Sequence, residues 1–205
     1  MTCVVGVVDD KGGIHFGCDS LGSDGHSGTI ISDPKIFQNG EFLIGYAGSY
    51  RLGQLLQYSF VNPERKEKQT AKQFLCTDFI DSVRLTFELG HFYKESRDEE
   101  SAGFDGEFIV GYRGEIFLIQ GDFSVLHAAE DFTSAGAGAE TSNAVLYATR
   151  NLELEPLDRL HLALDTASHH INAVKPPFHF LSLPDTSSKT NKKAKAREIN
   201  KPPKF

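Results

Sequence analysis

Met1-Thr2-Cys3-Val4-Val5-Gly6-Val7-Val8 is the stretch on which the reading of this chain turns. Residues 3–9 are almost continuously apolar and β-branched, which reads as a buried strand. Thr2 stands directly before it. A residue this small behind an initiator methionine permits routine methionine removal, which would leave Thr2 with a free α-amine beside its β-hydroxyl. Such an amine titrates near pH ~8, so a neutral fraction is present at physiological pH to take the hydroxyl proton. Nucleophile and base would then sit on one residue. Many chains begin Met-Thr with no catalytic meaning, so the start acquires weight only from partners further along.

Those partners follow from the order of the elements. Asp10-Lys11-Gly12-Gly13 reads as a hairpin turn and residues 14–19 as a second strand ending at Asp19, which returns Asp19 to the end of the sheet where Thr2 lies. Ser20 to Ser27 is a polar loop, 29–31 a short strand piece, and Asp33-Pro34 a break before Lys35-Ile36-Phe37. Residues 41–47 form the next strand, and Gly48-Ser49 opens a helix with Ser49 as N-cap and Leu52, Leu55, Leu56 and Phe60 on one face. After a charged connector at 62–69, a longer helix spans about 71–92 with Leu75, Phe79, Val83 and Phe87 in one stripe. Residues 95–100 read as a solvated loop.

Residues 106–112 and 115–119 form a hairpin around Arg113-Gly114, continued by 123–127. A small-residue stretch, 133–139, leads into a helix over about 140–151. The final helix starts at Pro156 and carries Leu157, Leu160, Leu164, Ala167 and Ile171. Pro176-Pro177 ends it, and 178–181 forms a closing strand. Hairpin-linked strands imply antiparallel sheets, and amphipathic helices need an apolar surface to cover. Both requirements are met by an α+β fold of four layers, αββα: two antiparallel sheets packed face to face with helices outside each.

Bulk properties restrict the function classes. The chain has 205 residues, 40% hydrophobic and 24% charged, as expected for one globular domain, 1–183, followed by a tail, 184–205. Of the net charge of −7, residues 186–205 contribute +6, so residues 1–185 carry −13. An acidic body argues against a nucleic-acid enzyme, and the Lys-rich, Pro-ended segment reads as a disordered terminus. No apolar run has the length of a membrane span, and the charges from Asp9 onward argue against a signal peptide. Cys3, Cys18 and Cys76 form no CxxC motif and no even framework, which fits a reducing, cytoplasmic compartment.

Asp19, Lys35 and the Ala47-Gly48-Ser49 junction give Thr2 a chemical context. A lysine near the amine disfavours its protonation and stabilises an alkoxide, and a carboxylate holds that lysine in place. Backbone N–H groups at a helix start can receive the oxyanion of a tetrahedral intermediate. Each residue also has a plainer reading: Asp19 as a turn residue, Lys35 as a surface charge, Gly48 as a cap. Cys3 reads as a buried structural thiol rather than a nucleophile. His169 and His170 are adjacent on a helix and point in different directions, so no metal site is expected from them.

With Thr2, Gly17-x-Asp19, Lys35 sixteen residues later, and Gly45-Tyr46-Ala47-Gly48 before a helix, the sequence resembles the proteasome β-subunit family and its bacterial relatives among the N-terminal nucleophile (Ntn) hydrolases. It also looks like an uncharacterised bacterial and phage branch of that family, with starts of the same Met-Thr-Cys-Val-Val-Gly kind. The resemblance covers residues 2–60 in motif and 2–181 in element order. It implies the αββα fold and threonine-type hydrolysis of a peptide or protein substrate through an acyl-enzyme, with no metal or cofactor. It further implies homo-oligomeric rings or stacked rings and an ATP-dependent unfoldase as partner. Thr2 would be nucleophile and base, Lys35 the tuning cation, Asp19 its orienting carboxylate and Gly48 N–H an oxyanion donor. Ser20, Ser23, Gly48 and Ser49 would line the substrate.

There are departures from the family pattern. One extra residue falls in the turn around Lys11-Gly12. The family's Gly-Ser-Gly is Gly136-Ala137-Gly138 here, without the hydroxyl, and His169 and His170 stand near the positions of a family aspartate and serine. Thr141, Ser142 or a histidine are the candidate substitutes. Two rival functions share the fold: a non-catalytic scaffold subunit and a small-molecule amidase.

Overall fold

A computed structural model of the chain describes residues 2–23, 26–93 and 103–184. Its first half runs β1 (Cys3–Val8), β2 (Ile14–Cys18), β3 (Leu21–Ser23), β4 (Gly28–Ile30), β5 (Ile36–Asn39), β6 (Phe42–Gly48) and α1 (Tyr50–Tyr58). Then come α2 (Ala71–Phe74), a π-helical turn (Leu75–Phe79) and α3 (Ile80–Leu89). The second half runs β7 (Gly106–Tyr112), β8 (Glu115–Ile119), β9 (Val125–His127), β10 (Phe132–Gly136), α4 (Ala139–Ala148), α5 (Pro156–His170) and β11 (His179–Leu183). Both main sheets are antiparallel, with strand orders β10-β1-β2-β11 and β5-β6-β7-β8-β9, while β3 and β4 make a separate ribbon.

Three apolar clusters separate four layers. Between the sheets lie Val4, Ile14, Phe16, Ile36, Leu43, Ile109 and Ile116. Cys3, Val5 and Val7, on the other face of β1, pack with Leu146, Leu160 and Leu164 of α4 and α5. Outside the second sheet, Phe42, Ile44, Phe108 and Phe117 meet Leu52, Leu56, Phe79, Val83 and Phe87 of the α1–α3 layer. The two-residue alternation of β1 divides its side chains between a sheet–sheet and a sheet–helix interface, so neither face sees water and the strand reads as continuously apolar. Each fully buried Leu, Ile or Phe contributes about 1.5–3 kcal/mol. Gly6 is required by this packing, because a Cβ there would lie 2.6 Å from the Phe16 ring.

The αββα architecture expected from the sequence is the one observed, and four details differ. Residues 133–136, expected as the start of a small-residue stretch leading into a helix, belong to strand β10, which pairs with β1 from Val7 opposite Phe132 to Cys3 opposite Gly136. Leu21–Ser23, expected as loop, pairs with Gly28–Ile30. The helix expected over 71–92 contains the π turn. A stripe with a period of four drifts about 40° per step on an α-helix, and the wider π turn takes up the first step. Leu75, Phe79, Val83 and Phe87 are all fully buried as a result. On α5 the buried face is Leu160, Ala163, Leu164 and Ala167, whereas Leu157 is 44% exposed in the first turn. The expected loop at 95–100, and the tail apart from Pro184, lie outside the described residues. Among the described residues no helix is long and apolar enough to cross a membrane.

Candidate active site

The register of the first hairpin brings the first two candidate residues together. Val4 pairs with Cys18, so Asp19 lies opposite Cys3, and the two backbones bond through Asp19 N–H to the Cys3 carbonyl (3.2 Å). Thr2, 3% exposed, immediately precedes this pair. Asp19 is fully buried and all its acceptor capacity on the near side is used: Oδ1 accepts the Cys3 N–H (3.0 Å) and Lys35 Nζ (2.7 Å), while Oδ2 accepts the Leu21 N–H (3.0 Å) and, more weakly, the Lys175 N–H (3.3 Å). The carboxylate thus ties the backbone just past Thr2 to β3, to the segment before β5 and to the segment between α5 and β11.

Lys35 is 1% exposed and donates to Asp19 Oδ1 and to the Leu21 carbonyl, both at 2.7 Å. A buried ammonium is costly to desolvate unless paired and hydrogen-bonded, and here both conditions hold. An ammonium has three hydrogens; two are committed, and the third has no protein acceptor among the described residues.

The second sheet approaches Thr2 across Gly136, which ends β10 of the first sheet and begins the β10–α4 turn. Gly136 has φ +93°, a conformation glycine adopts without strain. A Cβ there would lie 2.3 Å from the Thr2 carbonyl oxygen and 3.0 Å from Ala47 Cβ, so Gly136 is wedged between Thr2 and the end of β6. The Gly138 N–H points to the same Thr2 carbonyl at 3.4 Å. The end of β6 is Gly48, exposed, at φ +121°, opposite Gly106 of β7. Ser49 then caps α1, its Oγ accepting the Arg51 N–H at 3.1 Å. Thr2, Asp19, Lys35, Ala47-Gly48 and Gly136-Ala137-Gly138 therefore converge at one end of both sheets.

The other sequence candidates are placed differently. Ser20 is buried and its Oγ donates to the Pro177 carbonyl at 2.5 Å, so it braces the segment before β11. Ser23 is on the β3–β4 ribbon, donating to the Ser27 carbonyl at 2.8 Å. Ala137 is exposed on the turn. Ser142 cannot replace the missing hydroxyl at 137: its Oγ lies 3.1 Å from Cys3 Sγ and donates to the Ala163 carbonyl, on the helix-facing side of β1. Burial pushes the Cys3 thiol up to about 11, against the opposing effect of the Ser142 hydrogen bond, and burial pushes Cys18 up to about 12. Neither thiol supplies a nucleophile at neutral pH. His169 and His170 are exposed at the end of α5 with ring centroids 4.9 Å apart.

Two features were not anticipated. Tyr50, at the start of α1, buries its hydroxyl without a partner among the described residues, and a Cβ on Gly22 would approach it to 3.0 Å. Burial raises its pKa, and the Asp19 charge adds to the effect. Glu107 of β7 accepts the Gly136 N–H at 2.7 Å. No local sequence signal marks Glu107, which looks like an ordinary polar residue entering a strand.

No known family profile and no curated protein matches the sequence. Solved structures do match over nearly the whole chain. BPH from Thiobacillus denitrificans superimposes with a TM-score of 0.73 at 16% identity, covering 90% of this chain and 99% of that one. The same protein in complex with epoxomicin gives 0.71 at 15%, covering 89% and 99%. HslV from Trypanosoma brucei gives 0.64 at 16%, covering 89% and 99%. Anbu from Yersinia bercovieri, described as an ancestral β-subunit, gives 0.59 at 15% with full coverage of both chains. By architecture, the chain has the αββα fold of the proteasome β-type Ntn hydrolases.

Proposed function

We propose that the protein is an N-terminal threonine hydrolase acting on peptide or amide bonds once the bond before Thr2 has been cut, by removal of Met1. The observation that carries the reading is the buried Lys35–Asp19 pair, anchored on the Cys3 N–H and thus on the peptide unit next to Thr2. In this reading the Thr2 amine takes the proton of Thr2 Oγ, directly or through a water, as Oγ attacks the substrate carbonyl. The remaining Lys35 hydrogen stabilises the developing negative charge on Oγ. Gly48 N–H helps receive the oxyanion, and the protonated amine returns its proton to the leaving amine. Water then attacks the ester carbonyl as the amine takes its proton, and the amine returns that proton to Thr2 Oγ as the ester C–O bond breaks. The free state of all three thiols suits a reducing compartment. Assembly into a homo-oligomeric ring, with an unfoldase delivering protein substrates, belongs to the same proposal.

The test is the intact mass of the purified protein before and after a β-lactone or an epoxyketone, the latter because the similar Thiobacillus denitrificans protein is solved with epoxomicin. The expected result is loss of Met1 and one adduct, absent in Thr2→Ala. Retention of Met1, or its removal with no adduct, would overturn the reading. A non-catalytic scaffold subunit would then be favoured by the specific observation that residue 137 is an exposed alanine at the turn facing Thr2. A small-molecule amidase would instead label normally but remain a monomer or dimer.

A further inference from the structure

The Glu107 side chain hydrogen-bonds from β7, in the second sheet, to the turn packed on Thr2. It lies opposite Ala47 and next to the Gly106–Gly48 pair. Its Oε1 accepts the Gly136 N–H at 2.7 Å, and Gly136 is the residue pressed against the Thr2 carbonyl. The carboxylate is partly buried, and among the described residues no lysine, arginine or histidine pairs with it. A carboxylate without a cation beside it is a natural partner for a positive charge brought nearby.

The charged groups around Thr2 leave that charge unbalanced. Asp19 and Lys35 are closed on each other. The Cys3 and Cys18 thiols are neutral, and the phenol of Tyr50, raised by burial and by Asp19, is neutral as well. At the end of α5, His169 and His170 are exposed, and beyond it Lys175 meets Asp19 through its backbone N–H. Glu107 therefore adds a net negative charge to this end of the sheets, and processing at Thr2 would add a single positive one. We propose that Glu107 is the counter-charge of the Thr2 ammonium in the processed chain, a positioning residue that serves in place of the hydroxyl absent at Ala137. This inference rests on the reading of Thr2 as the mature N-terminus. The carboxylate favours the protonated amine and so raises its titration midpoint, and through Gly136 it holds the turn against which Thr2 is packed.

The experiment measures the amine without relying on turnover. Competitive acetylation of the Thr2 α-amine across pH 5–10, read by mass spectrometry on the N-terminal peptide of the full chain, gives its midpoint. Glu107→Gln keeps an acceptor for the Gly136 N–H but removes the charge, and is expected to lower the midpoint by about half a unit or more. Glu107→Ala is expected to lower it equally and also to slow β-lactone labelling several-fold, with labelling rescued in Glu107→Gln. Equal midpoints in wild type and Glu107→Gln would overturn the inference, and so would retained Met1. A lowered midpoint in a protein that takes up no β-lactone would support the charge pairing while sinking the hydrolase reading, so the two failures are distinguishable.

Discussion

Replacing Lys35 with methionine tests whether the end of the sheets is closed to water, as the burial of Lys35 and Asp19 implies. Methionine matches the length of the lysine stem, so the packing is nearly kept while the cation is lost. Asp19 then remains as a fully buried carboxylate with three backbone N–H donors, from Cys3, Leu21 and Lys175, and no cation. Breaking a buried pair from one side costs about 3–5 kcal/mol. Adding Asp19→Asn removes the stranded charge, but the amide must turn its NH2 toward one set of donors. The less costly choice faces the Cys3 N–H and orphans that one group, for about 1–3 kcal/mol. The Leu21 carbonyl loses its Lys35 donor in both variants, so its cost cancels in the comparison. The double variant should therefore be more stable than Lys35→Met alone by about 1–3 kcal/mol. With a urea m-value of about 2–3 kcal/mol/M, that is a midpoint shift of roughly 0.5–1 M at fixed protein concentration. A double variant equal to or weaker than Lys35→Met would refute the reasoning, because it would mean that the isolated carboxylate is solvated and that the pair is not sealed.

Other consequences can be checked separately. Iodoacetamide at neutral pH should modify Cys76 alone in the native protein and all three cysteines after denaturation, since Cys76 is exposed and burial holds the Cys3 and Cys18 thiols at about 11 and about 12; peptide mapping reads the result. Phe79→Ala should lower stability by about 3–5 kcal/mol, seen as a lower melting temperature, because the ring packs on Phe42 at 4.9 Å and Phe60 at 5.1 Å inside the second sheet's helix layer. Gly136→Ala should cost about 1–3 kcal/mol in backbone strain alone, add a backbone clash with Thr2, and abolish adduct formation before it abolishes folding.

The sequence revealed elements whose side chains specify them and hid those specified by their neighbours. Residues 3–8 announce a strand because both faces of β1 are buried, and Asp19 falls opposite Cys3 because the turn from Asp9 to Gly13 fixes the hairpin register, the Asp9 carboxylate accepting the Lys11 and Gly13 N–H groups at 2.8 Å each. By contrast Phe132–Gly136 carries little strand signal of its own. It is a strand because β1 offers a hydrogen-bonding edge, and its small residues are needed where Ala135 enters the space between the sheets and Gly136 meets Thr2. The β3–β4 ribbon was hidden for a related reason: it consists of two glycines, a serine, a threonine and only Leu21 and Ile30 as apolar residues, with β4 exposed throughout. In the site, Thr2, Asp19 and Lys35 were legible because spacing and register bring them together. Glu107 was not, since it acts on Gly136 across the gap between two sheets, 29 residues away in sequence.

That difference gives meaning to the alanine at 137. If the missing hydroxyl simply reflected a decayed site, Ala137→Ser would be neutral everywhere. If Glu107 has taken over the task of holding the ammonium, the two groups should be partly redundant. Ala137 is exposed, so a serine Oγ fits there without repacking. A hydrogen bond to a charged group contributes about 1.5–3 kcal/mol, or tenfold and more in a rate that depends on it. Ala137→Ser should then change the rate of β-lactone labelling little in the wild-type background, and raise it by roughly tenfold in Glu107→Ala, where the acceptor at 107 is gone. Equal effects in the two backgrounds would show that residues 107 and 137 act independently, and the assignment of Glu107 to the lost hydroxyl's role would fail even if the carboxylate proved essential for folding.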